Sequence, residues 1–350
     1  MAMDPEIDEI LHKGTVIPAH PLALTESREL DEKRQLALTK YYLASGVGGI
    51  AVGVHTTQFE IRDEGVDLFR PVLESALQAI EEFDPGRPLI KVAGAVGPTR
   101  RALSEAGLAA ELGYDLVLLS MGGLESYTEE ELLERTREVG EIIPVFGFYL
   151  QPAVGGRELD YEFWRRFAEI PAVKAIKVAP FDRYRTFDVV RAVCHSSRRS
   201  EIALYTGNDD NFLFDLLTTY RFKVDGEPVE KRMVGGLLGQ WAFWTRGAVE
   251  LLGEIKKVRE KDKVPRELLA QGGDWTDVNE AVFDPSHNFE GCIPGINEML
   301  RREGLLKGRW CLKREKELSP GQMKEIERIY ATYPHLSDGE FIERHMDDWI

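Results

Sequence analysis

The stretch Val173-Lys174-Ala175-Ile176-Lys177-Val178-Ala179-Pro180 decides how this chain is read. It is a short run of β-forming residues closed by a proline, with a lysine near its far end. If Val173 to Val178 is a strand, alternation sets Val173, Ala175 and Lys177 on one face and Lys174, Ile176 and Val178 on the other. A lysine sheltered from water behind two small apolar residues has its ammonium form destabilised. Its amine is then free to attack a ketone near neutral pH. A lysine that snorkels from a strand end into solvent would carry no such chemistry, so its neighbours decide the matter.

Working outward, seven more β-like runs share this character: Gly14 to His20, Gly49 to Val54, Leu89 to Ala95, Asp115 to Ser120, Pro144 to Tyr149, Glu201 to Thr206 and Val234 to Gly239. Successive starts lie 26 to 40 residues apart, and a strand with a helical crossover needs about 30 residues. The segments between them read as helices. Asp31 to Ser45 places Leu36, Leu38, Tyr41, Tyr42 and Leu43 among charges and stops at Gly46; Thr128 to Glu131 has capping-box spacing; Leu103 to Leu112 stops at Gly113. Eight strand and helix units predict an α/β fold, a (β/α)8 TIM barrel over residues 1–253. Beyond Gly253, helices are expected at Pro265 to Leu269, Ile293 to Arg302 and Pro320 to Thr332, forming a C-terminal helical extension over 254–350.

Composition narrows the function. The 43% hydrophobic and 30% charged content belongs to a globular chain. Forty-four basic against 60 acidic side chains give a formal charge of −16, which argues against nucleic acid or an anionic membrane as partners. Cys194, Cys292 and Cys311 are too scattered for a disulfide framework or a zinc knuckle. With no apolar run of membrane-spanning length and no basic-then-apolar leader, a cytoplasmic location is expected.

Barrel enzymes react at the C-terminal ends of their strands. Alternation in Pro144 to Tyr149 puts Val145, Gly147 and Tyr149 on one face and Phe146 and Phe148 on the other, which suits the helix side. Tyr149 is then expected on the interior face beside Lys177, one strand spacing away, as a proton shuttle. His55, Thr56 and Thr57 follow the second strand and are candidates to hold a small carboxylate. Gly207 and Asn208 follow the seventh and allow close approach of a ligand. Gly239 closes the eighth, where small residues leave room for substrate. Arg183 and Arg185 are candidates to read a distal anionic group.

The order of a strand-end Tyr149, Lys177 in a Val-Lys-Ala-Ile-Lys run 28 residues later, Gly207-Asn208-Asp209, and the glycines Gly235, Gly236 and Gly239 resembles the dihydrodipicolinate synthase and N-acetylneuraminate lyase family. The resemblance runs from about Gly14 to Gly253 and continues weakly through Gly308 to Ser319. It implies a class I, Schiff-base lyase acting on a 2-oxo acid such as pyruvate, with Lys177 as the Schiff-base lysine and Tyr149 as the proton-shuttling tyrosine. It implies no cofactor and no metal, and assembly as a dimer or tetramer. The chain departs from the family at Gly53-Val54-His55-Thr56-Thr57, where members read Gly-Thr-Thr-Gly-Glu, and Tyr127 is only a distant counterpart of their second tyrosine. Two other readings stand beside this one: a metal-dependent hydrolase or class II aldolase using His20, His55 and Asp209, and a barrel that binds a small acid without catalysis.

Overall fold

The computed structural model describes residues 3–350. Eight parallel strands form one sheet with helices between them, the arrangement of a nearly closed (β/α)8 barrel with C-terminal helices. In chain order the strands are β1 (Val16–Pro18), β2 (Gly49–Val52), β3 (Ile90–Ala95), β4 (Leu116–Ser120), β5 (Val145–Leu150), β6 (Val173–Ala179), β7 (Ala203–Thr206), β8 (Tyr220–Val224), β9 (Glu227–Lys231) and β10 (Met233–Leu238). The sheet order is β1-β10-β7-β6-β5-β4-β3-β2, and β8 and β9 form a separate hairpin. The eight runs read from the sequence fall on the eight strands of the sheet. Among the described residues, no helix is long and apolar enough to cross a membrane.

Packing divides the chain into two compact units. The first comprises the residues up to Thr15 with Ile90–Leu237. It holds β3 to β7, the hairpin and most of β10, and the strands it contributes to the parallel sheet are buried almost throughout on both faces, as in parallel sheets generally. The hairpin turns at Asp225 (φ 52°) and Gly226 (φ 88°), two consecutive positive angles that favour an Asp-Gly pair. It packs against the helix Arg183–His195, where Phe187 meets the rings of Tyr220 and Phe222.

The second unit comprises Val16–Leu89 with Leu238–Ile350. Its helix Glu32–Ser45 starts on an Asp31 cap and ends at Gly46 with φ 90°. The C-terminal helices fasten to this unit by buried polar contacts. Tyr41 donates to Asp338 at 2.6 Å, Arg246 N–H donates to the same carboxylate at 2.8 Å, and the Trp244 indole donates to Glu303 at 2.8 Å. The extension is longer than the sequence suggests: Arg266–Phe283, Cys292–Arg302 and Gln322–Thr332 are followed by a further helix, Gly339–Trp349. The expected boundary at 253/254 falls inside the helix Thr245–Val258. Gly253 is an ordinary helical residue there, at a propensity cost of about 1 kcal/mol relative to alanine, and does not end the helix.

His20, in the second unit, gives a stability prediction. Its Nδ1 lies 2.7 Å from the Pro21 carbonyl oxygen and so carries the hydrogen, while Nε2 lies 2.8 Å from Thr39 Oγ1. Burial holds the ring neutral and lowers its pKa to about 4. An unfolded histidine titrates near about 6.5, so the unfolded chain takes up the proton first. The stabilisation is complete above about pH 6.5 and is lost as pH falls towards 4, by roughly 3 kcal/mol. Wild-type melting temperature should fall over this window more steeply than that of His20→Gln; parallel curves would contradict the assignment.

Candidate functional site

The register of the first unit fixes which side chains face inward. On neighbouring strands, Phe146 pairs with Ala175 and Phe148 with Lys177; Lys177 in turn pairs with Tyr205, and Tyr205 with Gly235. The rings of Phe146 and Tyr205, from β5 and β7, meet at 5.3 Å. Those strands are about 9.6 Å apart, so their side chains converge only on the concave face. Lys177 therefore points into the interior, as alternation predicts.

The Lys177 side chain is 8% exposed. Its Nζ lies 4.5 Å from the centre of the Phe148 ring, a contact that favours the ammonium form. The buried Asp209 carboxylate favours it too. Burial outweighs both, and the pKa falls to about 8. Gly207 makes room for the chain: a Cβ there would lie 2.6 Å from Lys177 Cε and 2.7 Å from Ala179 Cβ.

Tyr149 lies elsewhere. It occupies the opposite face of β5 from Phe148, with its ring 5.1 Å from Trp164 on the outer helix Tyr161–Phe167, and its hydroxyl accepts from Leu159 N–H at 3.3 Å. Gly147 shares that face, where a Cβ would lie 2.5 Å from Phe167. The expected Tyr149–Lys177 pair on one interior face is thus corrected: phenylalanines line the interior of β5, and the phenol sits beneath the helices. The reason is local. Every residue of β5 is buried, so polarity does not mark its faces, and an irregularity between Val145 and Phe146 shifts the register. Tyr149→Phe is accordingly expected to change lysine chemistry by no more than about twofold while costing about 1 kcal/mol through the lost Leu159 contact. Labelling of Lys177 and a denaturant titration measure the two effects.

The loop after β7 is bound to its surroundings by one carboxylate. Asp215 accepts from Thr206 Oγ1 at 2.7 Å, Asn208 Nδ2 at 2.9 Å, Asn211 Nδ2 at 3.3 Å and the Tyr220 hydroxyl at 3.4 Å, and pairs with Arg183. Asn208 also donates to Thr186 at 3.2 Å and accepts from Phe181 N–H at 3.0 Å. Its amide therefore joins the loops after β6 and β7, which corrects its expected part in holding substrate. Arg185 pairs with Glu158 at 3.0 Å, so both arginines considered for a distal anion already have carboxylate partners.

In the second unit, His55–Thr57 form one turn of 3₁₀ helix after β2. The Thr57 hydroxyl donates to His20 C=O at 2.7 Å and accepts from Gly53 and Val54 N–H at 3.0 and 3.1 Å. That exhausts its hydrogen-bonding capacity, so Thr57 closes its own turn and does not grip a carboxylate. Thr56 donates to the same carbonyl at 3.3 Å, and the half-buried His55 ring meets Phe59 edge-on. Gly239 faces Phe283 and Ile296 of the C-terminal helices, with a Cβ position 3.0 Å from Phe283, so its small size serves helix packing. Both His20 ring nitrogens are engaged, which removes it from the expected metal-ligand set. Among the described residues no group of three or more His, Cys, Asp or Glu is placed to hold a metal ion.

The residue against Lys177 that escaped the sequence reading is Phe148, assigned to the wrong face; Asp209, considered only as a metal ligand, acts on the lysine through its charge. A pattern with apolar residues on both faces gave no signal for the first.

No family model and no curated protein matches the sequence. Solved structures do match in shape. Dihydrodipicolinate synthase from Oceanobacillus iheyensis aligns with a TM-score of 0.74 at 17% identity over 94% of this chain and 99% of that one. N-acetylneuraminate lyase from Fusobacterium nucleatum aligns at 0.70 and 16% identity over 92% and 99%. YagE, a prophage protein of the dihydrodipicolinic acid synthase family from E. coli solved in complex with pyruvate, aligns at 0.72 and 16% identity over 91% and 97%. The chain therefore carries the (β/α)8 fold of the dihydrodipicolinate synthases and N-acetylneuraminate lyases.

Proposed function

We propose that this protein is a class I aldolase-type lyase in which Lys177 condenses with the ketone of a 2-oxo acid, pyruvate or a pyruvate-yielding compound. The observation that carries the reading is a buried amine at the C-terminal end of a barrel strand, with burial lowering its pKa to about 8. At neutral pH a usable fraction of such an amine is unprotonated, whereas an exposed lysine is almost wholly charged. The iminium formed would draw electrons from the neighbouring carbon, so that a carbon–carbon or carbon–oxygen bond β to the nitrogen can break or form through an enamine. The likeness in fold to lyases, and to a protein solved with pyruvate, supports the class of substrate. Assembly as a dimer or tetramer belongs to the same proposal.

The test is reduction with borohydride in the presence of pyruvate, followed by peptide mass spectrometry. A reduced pyruvyl adduct on Lys177 is expected, and a protein left unmodified there overturns the proposal. A second reading, a barrel that holds a 2-oxo acid without turning it over, is favoured by the outward position of Tyr149. Thermal stabilisation by pyruvate with neither adduct nor turnover would select it.

A further inference from the structure

Because the Thr57 hydroxyl closes its own turn, the carboxylate of a 2-oxo acid held at Lys177 needs another donor. The inward face of the first unit supplies one. Strand register sets Ser120 of β4 opposite Phe148 of β5, Phe148 opposite Lys177 of β6, and Lys177 opposite Tyr205 of β7. Partners on neighbouring strands share a face, and this is the concave face on which Phe146 and Tyr205 meet. Lys177 and Ser120 therefore flank one phenylalanine.

We infer that the Ser120 hydroxyl holds the carboxylate of the 2-oxo acid bound at Lys177. Ser120 Oγ accepts from Gly122 N–H at 3.1 Å, a local turn that draws the oxygen towards the C-terminal end of β4, the end at which barrels receive substrate. Ser120 is 4% exposed, and among the described residues its own hydrogen has no acceptor. A buried hydroxyl with an uncommitted hydrogen suits an anion. The other hydroxyl in this row is already engaged, since Tyr205 donates to Leu11 C=O at 2.9 Å.

The spacing agrees. The Lys177 Nζ lies against the Phe148 ring, 4.5 Å from its centre, with Ser120 on the strand beyond. A 2-oxo acid joined to that nitrogen carries its carboxylate oxygens about 3 Å away, and a hydrogen bond from a hydroxyl reaches about 2.7 Å further. Such a ligand crosses the width of one strand, about 4.8 Å, which is the strand that bears Phe148. The receiving loop is fixed as well. Arg157 donates to Leu124 C=O at 3.0 Å and to Tyr127 C=O at 2.8 Å, and a Cβ at Gly122 would lie 2.4 Å from the Gly155 carbonyl oxygen, so the loops after β4 and β5 pack on each other closely. The consequence is selectivity for ketones that bear a carboxylate on the adjacent carbon.

This inference rests on the lysine reading above, and the experiment separates the two. Borohydride trapping on Lys177 is measured against concentration for pyruvate and for acetone, the same ketone with a methyl group in place of the carboxylate. Wild type, Ser120→Ala and Ser120→Thr are compared, with melting curves for each. In Ser120→Ala the pyruvate concentration giving half the maximal rate is expected to rise roughly tenfold, while that of acetone stays unchanged. Ser120→Thr, which keeps a hydroxyl, should bring pyruvate back towards the wild-type value. An equal rise for both ketones, the mark of a structural role, overturns the assignment of Ser120 alone, and so does an unchanged value for pyruvate. Wild-type protein that traps neither ketone on Lys177 overturns the lysine reading itself.

Discussion

Lys177→Ala is expected to yield a folded protein that pyruvate and borohydride no longer label, with turnover of any 2-oxo acid substrate reduced by a factor on the order of 10^4 to 10^6, as when a covalent nucleophile is deleted. Folding should survive because the substitution removes an amine whose burial is itself unfavourable. The side chains and backbone packed against it at Phe148, Ala179 and Gly207 are apolar and can settle against a methyl group. The melting temperature should move by no more than a few degrees, about 1 kcal/mol for a chain of this size. Lys177→Arg sharpens the test. It keeps a positive charge beside Phe148 but replaces the nucleophile by a guanidinium that stays protonated, so labelling should be lost there as well. Residual labelling at another lysine in either variant would show that the reactive amine had been misplaced.

Gly207→Ala carries the second large effect. Its Cβ would lie 2.6 Å from Lys177 Cε and 2.7 Å from Ala179 Cβ, closer than non-bonded carbons approach. The Ala179 carbon is fixed by β6, so the lysine must yield. The loop is poorly able to move instead, because Gly207 N–H donates to Val178 C=O at 2.8 Å and its neighbours Thr206 and Asn208 both hydrogen-bond to Asp215. Displacement of a reacting atom by about 1 Å typically costs about 100-fold in rate, and overpacking costs about 1–3 kcal/mol in stability. Slower adduct formation is expected alongside a measurable loss in denaturant midpoint. A variant with wild-type kinetics would show that the lysine has space the structure does not reveal.

What could be read from the sequence follows from the physics of parallel sheets. Short apolar runs at regular spacing mark strands buried on both faces, and all eight were legible. The same burial concealed the faces of β5: Val145 to Leu150 contains nothing that prefers water, so the parity of Tyr149 had no anchor until Phe167 was seen against Gly147. The parity of Lys177 was easier, since Lys174 in the same strand had to face the outside. Thr57 and Asn208 show a different limit. A hydroxyl or amide that closes its own turn looks, in sequence, the same as one waiting for a ligand. The hairpin β8–β9 was announced by Asp225-Gly226 between Tyr220-Arg221-Phe222-Lys223-Val224 and Glu227-Pro228-Val229-Glu230-Lys231, a signal masked by the expectation of a helix at that point in each repeat.

The fastening of the segment after β7 to Asp215 bears on how a ligand would be received. Four side-chain hydrogen bonds and an ion pair gather Thr206, Asn208, Asn211, Tyr220 and Arg183 onto one buried anion. A segment so anchored has little freedom left to surrender. For the proposed reaction at Lys177, then, the segment beside the lysine is set before any guest arrives, and the ordering entropy of association falls chiefly on the guest. Small rigid acids should fare better there than long flexible ones.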